Sequence, residues 1–113
     1  MHELSLCEQV LEQIQQQARV QQFQQVKTVH LEIGKLSCVE ADAMRFCFDS
    51  VVAGSLAEGA RLEIEQPEAI AWCCACEQLV KVEQRFELCP HCGHFPLELR
   101  DGEQMRIKFL EVL

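Results

Sequence analysis

The sequence has no apolar run long enough to cross a bilayer, which excludes a membrane-spanning helix from the predicted structure. It also lacks the positive charge and following apolar stretch of a secretory signal, since its first residues are acidic and rich in glutamine. We therefore expect a cytoplasmic protein with no membrane association. Aromatic residues are few, at 6%, but hydrophobic residues make up 49%, which is typical of a globular chain rather than a disordered one.

Basic residues are scarce as well. Ten Lys and Arg residues stand against 18 Asp and Glu residues, which gives a formal net charge of -8. Because this charge repels a phosphate backbone, we expect no nucleic acid partner. The sequence also contains no H-E-x-x-H run and no open set of three zinc ligands, so we expect no enzymatic turnover.

Two segments have helical periodicity. Ser5 and Glu8 have the spacing of a capping box, and the apolar residues after them predict a helix over about Leu6–Gln21. A second apolar stripe ends at Gly54 and predicts a helix over about Ala41–Ala53.

Three segments alternate between apolar and polar residues and predict strands with one buried face: Thr28–Ile33, Arg61–Glu65 and Met105–Phe109. Basic residues of the last strand would then lie opposite acidic residues of either earlier strand. The sequence thus predicts an α+β fold, with two helices packed on a small three-stranded sheet and an inserted four-cysteine zinc-ribbon unit. The expected domains are an α/β domain of residues 1–68 plus 100–113 and a ribbon domain of residues 69–99.

Eight cysteines in a chain with no export signal favour metal ligands and core residues over disulfides, because the cytosol is reducing. Four of them form two C-x-x-C pairs, Cys73 with Cys76 and Cys89 with Cys92, separated by twelve residues. Zinc favours a tetrahedron of four thiolates, and each two-residue gap lets one turn supply two of them. A closed site of this kind has no open coordination position, so we expect a structural role for the zinc.

Spacing leaves alternatives at this site. Cys74 and Cys76 could pair as C-x-C, although Cys73 is preferred because it completes C-x-x-C. His91 and His94 flank the last cysteine, and either could replace a thiolate under changed conditions.

The first residues have the pattern of a chelate. The Met1 amine, the deprotonated amide nitrogen of His2 and its imidazole Nδ1 provide three nitrogen donors from two residues. A square-planar set of this kind suits Ni(II) or Cu(II), and the Glu3 amide or a carboxylate could be the fourth donor. The same residues also fit a chain terminus that binds no metal. Glu40 also has two interpretations, a carboxylate that assists metal binding or a helix cap, because Ser37 and Glu40 have the spacing of a capping box.

The opening Met1–Leu6 segment, Leu31–Gly34 leading into Ser37–Glu40, and the two cysteine pairs together resemble the HypA/HybF family over essentially the full length. That family consists of nickel metallochaperones for NiFe-hydrogenase maturation.

This resemblance implies that His2 is the side-chain nickel ligand, with Met1 and Glu3 completing the plane and Glu40 assisting. It implies that nickel is the transferred cargo, delivered from the amino terminus, and that zinc is structural. It also implies two partners: a hydrogenase maturation GTPase and the large-subunit precursor that receives nickel. The implied zinc ligands are Cys73, Cys76, Cys89 and Cys92.

A different function fits the residues without the resemblance. A zinc-ribbon adaptor that mediates protein interactions, with no nickel transfer, would account for the cysteine pairs alone. Nickel stoichiometry distinguishes the two, since the adaptor would bind none.

Overall fold

The computed structural model describes residues 2–113, and over that range it contains two α-helices, one short 3-10 helix and six strands. None of the helices in this range is both long and apolar enough to cross a membrane. In chain order the elements are α1 Glu3–Gln21, β1 Val26–Ile33, the 3-10 helix Lys35–Ser37, α2 Ala41–Val51, β2 Arg61–Glu65, β3 Ala69–Cys73, β4 Gln78–Val82, β5 Glu98–Asp101 and β6 Met105–Val112.

Helix α1 begins three residues before its predicted start. Its N-cap residue is His2, and the acidic Glu3 in the first turn interacts favourably with the helix dipole. Ser5 therefore lies inside the helix, and the predicted capping box at Ser5 is wrong. The helix buries a single stripe consisting of Leu6, Cys7, Val10 and Ile14.

Helix α2 packs against α1 through a pair of sulfur-containing side chains. The Cys7 Sγ lies 3.6 Å from the Met44 Sδ and donates to the Met44 carbonyl at 3.3 Å. Glu40, for which the sequence left a capping role open, is the N-cap residue of α2, but its side chain makes no capping hydrogen bond. Ser37 belongs to the 3-10 helix, so Ser37 and Glu40 do not form a capping box.

The first sheet has the strand order β2-β1-β6 and confirms the predicted three-stranded sheet. Val29, Leu31 and Ile33 of the central strand are fully buried, as predicted. Thr28, expected on the open face, is only 5% exposed. Since β6 lies beside β1, the predicted alternative in which it pairs with β2 is wrong.

The second sheet has the strand order β4-β3-β5, with β3 antiparallel to both neighbours. None of its three strands was among the predicted elements. Its buried face is formed by Ala69, Ala71, Cys73, Val80 and Val82, together with Leu36 and Cys89.

The chain divides into two compact units. The first unit comprises residues 2–31, 39–64 and 106–113, and the second unit comprises Glu32–Cys38 and Glu65–Met105. The predicted ribbon domain, residues 69–99, was defined by cysteine spacing and stays a prediction.

Backbone hydrogen bonds fix residues 34–36 within the second unit. The Lys35 N–H donates to the Pro67 carbonyl at 3.1 Å, and the Leu36 N–H donates to the Gly102 carbonyl at 2.9 Å. The Leu36 side chain consequently lies in the buried cluster that contains two of the candidate zinc ligands.

Candidate metal centre

The first cysteine pair lies at the end of the β3–β4 hairpin. Cys73 is the last residue of β3, is fully buried, and pairs with Gln78 across the hairpin. Four residues connect these positions, and the last of them, Glu77, has a left-handed φ of 53°. This tight connection keeps the sulfurs of Cys73 and Cys76 within 4.8 Å of each other.

The second cysteine pair lies in a loop closed by its own backbone. The Cys89 N–H donates to the His94 carbonyl at 2.9 Å, and the Gly93 N–H donates to the Cys89 carbonyl at 2.9 Å. Gly93 has a φ of 77°, a conformation that glycine adopts at no steric cost. The loop therefore positions Cys89 and Cys92 without support from a helix or strand.

The four sulfurs of the two pairs lie within 4.8 Å of one another. The Cys73 Sγ is 3.6 Å from the Cys92 Sγ, and the Cys76 Sγ is 3.8 Å from the Cys89 Sγ. Four thiolates bound to one zinc at about 2.3 Å lie about 3.8 Å apart, so the arrangement fits this ion. All of the cysteines are free thiols. The chain therefore has the predicted four-cysteine zinc site.

The thiols of this cluster differ in acidity. Burial raises the pKa of Cys89, but the backbone N–H groups of Cys92 and His91 donate to its sulfur and lower its pKa to about 6. The hydrogen bond with Cys73, together with burial, raises the pKa of Cys76 to about 12. The backbone N–H of His94 lowers the pKa of Cys92, yet burial and the hydrogen bonds with Cys73 and Cys89 raise this pKa overall. Zinc binds thiolates, so binding at this site releases the protons that the cysteines still carry.

Cys74 lies outside the group of four sulfurs. Its thiol is exposed and lies 3.4 Å from the His94 Nε2. The structure thus brings Cys73, rather than Cys74, together with the other three cysteines. His91 is exposed, and it lies outside the cluster as well.

The predicted nickel residues belong to the first unit. His2 is exposed and extended, with φ -80° and ψ 127°, and Glu3 is the first helical residue after it. Glu40 is exposed and immediately precedes α2. Within residues 2–113 these three do not form a cluster of three metal-ligating side chains. Met1, the predicted source of the amine, lies outside the described residues.

Leu36 and Arg85 support the zinc site, and sequence reasoning missed both. Leu36 packs in the cluster that contains Cys73 and Cys89, and the Arg85 guanidinium donates to the Leu36 carbonyl at 3.2 Å. No local pattern marks this pair, because 49 positions separate them.

Comparisons of the sequence and of the fold identify similar known proteins. Residues 1–112 match the model of a family described as hydrogenase/urease nickel incorporation, metallochaperone, hypA. The chain is 52% identical over 112 residues to the hydrogenase maturation factor HypA of Acidithiobacillus ferrooxidans (strain ATCC 53993 / BNL-5-31), and 47% identical over 112 residues to that of Azotobacter chroococcum mcd 1. Each alignment covers 99% of both chains. The solution structure of the Ni metallochaperone HypA from Helicobacter pylori has a TM-score of 0.76 and 23% identity, covers 100% of this chain and 98% of its own, and supports the fold alone.

Proposed function

Because the chain belongs to the HypA family of hydrogenase maturation nickel metallochaperones, we propose that it holds its Ni(II) cargo at the amino terminus through His2. In this proposal the Met1 amine and Glu3 complete the coordination plane, and Glu40 assists. The protein is not an enzyme, and its four-cysteine zinc site is structural.

The observation that carries this proposal is the position of His2 at the first turn of α1. The first four N–H groups of a helix have no acceptor within the helix, and the first helical bond here runs from the Leu6 N–H to the His2 carbonyl. Ni(II) can therefore replace the amide protons of His2 and Glu3 without breaking a bond of the helix. The nitrogen-rich plane that results is the geometry that Ni(II) prefers.

The side chains of His2 and Glu40 both remain available for metal binding. Each is an exposed N-cap residue, and neither side chain makes a capping hydrogen bond. This supports Glu40 as an assisting carboxylate, because a helix cap does not occupy it.

Exposure of His2 also supports delivery by ligand exchange. A partner's donor groups can reach an ion held at an exposed site, whereas a buried ion would first require local opening. We propose that the partners are a hydrogenase maturation GTPase and the large-subunit precursor that receives nickel, and that transfer occurs in the cytoplasm. We further propose that Cys73, Cys76, Cys89 and Cys92 are the zinc ligands of an inserted zinc-ribbon domain of residues 69–99.

A nickel titration of untagged, zinc-loaded protein tests the proposal. His2→Ala, or extension of the chain by two residues before Met1, should each weaken Ni(II) binding by more than about tenfold, because each removes one donor of the chelate. His91→Ala is the matched control, since it removes another exposed histidine and should leave nickel binding unchanged. Zinc content should stay at one ion per chain in every variant.

Two results would contradict the proposal. If both His2→Ala and the extended chain bound nickel with wild-type affinity, nickel would bind at another site and not at the amino terminus. Absence of any nickel stoichiometry in the unmodified chain would instead favour a zinc-ribbon adaptor without nickel transfer.

A further inference from the structure

Phe86 is the most exposed large apolar side chain of the second unit, at 87%. Its backbone has a φ of 62°, in the left-handed region that bulky residues rarely adopt. Such a conformation persists only where the surroundings hold it, and it is concentrated at functional sites. The turn thus exposes an aromatic side chain to solvent, although both the exposure of the apolar ring and the left-handed backbone cost free energy.

Contacts on either side of Phe86 hold the turn in place. The Arg85 guanidinium donates to the Leu36 carbonyl and also pairs with Glu103. On the other side, the Glu87 carboxylate accepts a hydrogen bond from the Glu83 N–H at 2.7 Å. Hydrogen bonds of the residues on both sides of Phe86 therefore fix the turn that exposes it.

The turn borders an apolar cavity, which we name the Phe86 groove. Phe95, which is 48% exposed, lines the same cavity. Its volume of about 250 Å³ is below the range of about 300–1,000 Å³ for small-ligand pockets, so it suits a protruding side chain better than a free ligand. Aromatic and apolar residues around such a pocket are typical of the centre of a protein interface. The remaining apolar lining includes Ala71, Val82, Leu97 and Leu99.

Charge indicates what kind of partner fits this groove. The two charged residues of its lining, Arg85 and Glu87, have opposite signs, so the net negative charge comes from the rest of the second unit. The second unit has nine Asp and Glu residues against four Lys and Arg residues, so it carries -5 of the total charge of -8. Four thiolates with one divalent zinc add a further -2, which makes the loaded unit about -7. Two copies of this surface would repel each other, whereas a basic surface would be attracted to it.

We propose that the Phe86 groove docks a protein of the hydrogenase maturation machinery through one apolar side chain surrounded by Lys and Arg. The apolar side chain fills the cavity between Phe86 and Phe95, and the surrounding basic residues approach the acidic second unit. This surface contains none of the proposed nickel residues, so docking and nickel binding are separable.

A binding assay tests this inference, with the purified maturation GTPase and the purified large-subunit precursor as probes of the zinc-loaded chain. The choice of these two probes rests on the proposed function. Phe86→Asn removes the aromatic ring and keeps a residue that tolerates the left-handed backbone. We expect it to weaken binding of at least one probe by about tenfold or more, as for a central interface residue. Phe95→Asn, on another part of the lining, should have a similar effect. Raising the salt concentration from about 50 mM to about 500 mM should also weaken wild-type binding.

Phe46→Gln is the matched control, because Phe46 is 78% exposed on α2 of the first unit. It should bind both probes as the wild type does. Zinc content and nickel affinity of Phe86→Asn should equal those of the wild type, which separates loss of docking from misfolding or loss of the nickel site.

Three outcomes would overturn the inference: wild-type binding by both Phe86→Asn and Phe95→Asn, no binding of either probe to the wild type at about 100 μM, or a self-association of the chain that Phe86→Asn abolishes. None of these would affect the nickel proposal, which is decided by the His2 titration.

Discussion

Gly34 and Gly102 approach so closely that a Cβ on Gly34 would lie 2.1 Å from the carbonyl carbon of Gly102. The obstructing atoms belong to the backbone, which cannot rotate away as a flexible side chain would. Gly102 is equally confined, since a Cβ there would lie 2.5 Å from the Ala69 Cα. This crossing joins the segment that carries Leu36 to the β5–β6 connection within the second unit.

Gly34→Ala should therefore destabilise the protein by about 2–3 kcal/mol, the upper range for inserting a group into a packed interior. Urea unfolding followed by Trp72 fluorescence measures the change, because Trp72 lies on β3 of the same unit and is the single tryptophan of the chain. Gly93→Ala, in the same unit as Trp72, provides the comparison: its Cβ would meet no atom within 4 Å, so only the left-handed φ of 77° adds a cost of about 1 kcal/mol. Equal effects of the two substitutions would argue against the close crossing.

Substitution of single cysteines should separate zinc ligands from bystanders. Cys73→Ser or Cys92→Ser should reduce zinc affinity by more than the roughly 10- to 100-fold that loss of an outer-shell partner costs. Cys74→Ser and Cys38→Ser should retain one zinc per chain, because both thiols are exposed and lie outside the group of four sulfurs. Native mass spectrometry gives the stoichiometry. Loss of zinc in Cys74→Ser, with retention in Cys73→Ser, would reverse the assignment.

Removal of zinc should loosen the second unit and leave the helices of the first unit largely intact. Cys73 and Cys89 belong to the buried cluster of the second unit. Loss of the four zinc–sulfur bonds would therefore free the cysteine loops and weaken the packing of this cluster. A chelator should therefore change Trp72 fluorescence strongly, while the far-ultraviolet circular dichroism of α1 and α2 changes little. Simultaneous loss of both signals would show that the two units unfold together.

Cys7 should make stability depend on pH in the alkaline range. Burial, followed by the nearby Cys47 and by Glu3 and Glu8, raises the pKa of Cys7 from 9.0 to about 12. Since the unfolded chain loses this proton first, the contribution of Cys7 is fully present below pH 9 and is lost as the pH rises from 9 to 12.

Cys7→Ala provides the test of this dependence. The variant should be less stable by about 1 kcal/mol at pH 7, as for a buried group the size of a methylene, and this difference should shrink above pH 9. The zinc ligands are common to both proteins, so their own titration cancels in the comparison. A difference that stays constant with pH would contradict the buried neutral thiol.

Much of the first unit could be predicted because its elements follow local patterns. The apolar stripe through Val10 and Ile14 recurs with helical period, and Val29, Leu31 and Ile33 alternate as residues of a buried strand do. The helix starts were less accurate, since capping-box spacing at Ser5 and Ser37 occurs without the cap. A spacing pattern does not specify which residue leaves the helical conformation.

The second sheet was missed because β3 reverses the usual hydrophobic pattern. Its buried positions are small residues, Ala69 and Ala71, whereas the larger Ile70 and Trp72 are only partly buried. An alternation read from side-chain size and polarity gives no strand signal in such a segment.

The sequence by itself determined the zinc chemistry, because two C-x-x-C turns can supply four soft ligands from short-range spacing alone. It also contained the first residues that support the proposed nickel chelate, since the donors of a terminal chelate are neighbours in the chain. Only the tertiary structure decided that Cys73 rather than Cys74 joins the other three sulfurs, that Leu36 packs in one buried cluster with Cys73 and Cys89, and that Phe86 is exposed beside an apolar groove. These relationships depend on residues that are distant in sequence and meet only when the strands pair and the loops close, and no local pattern encodes them.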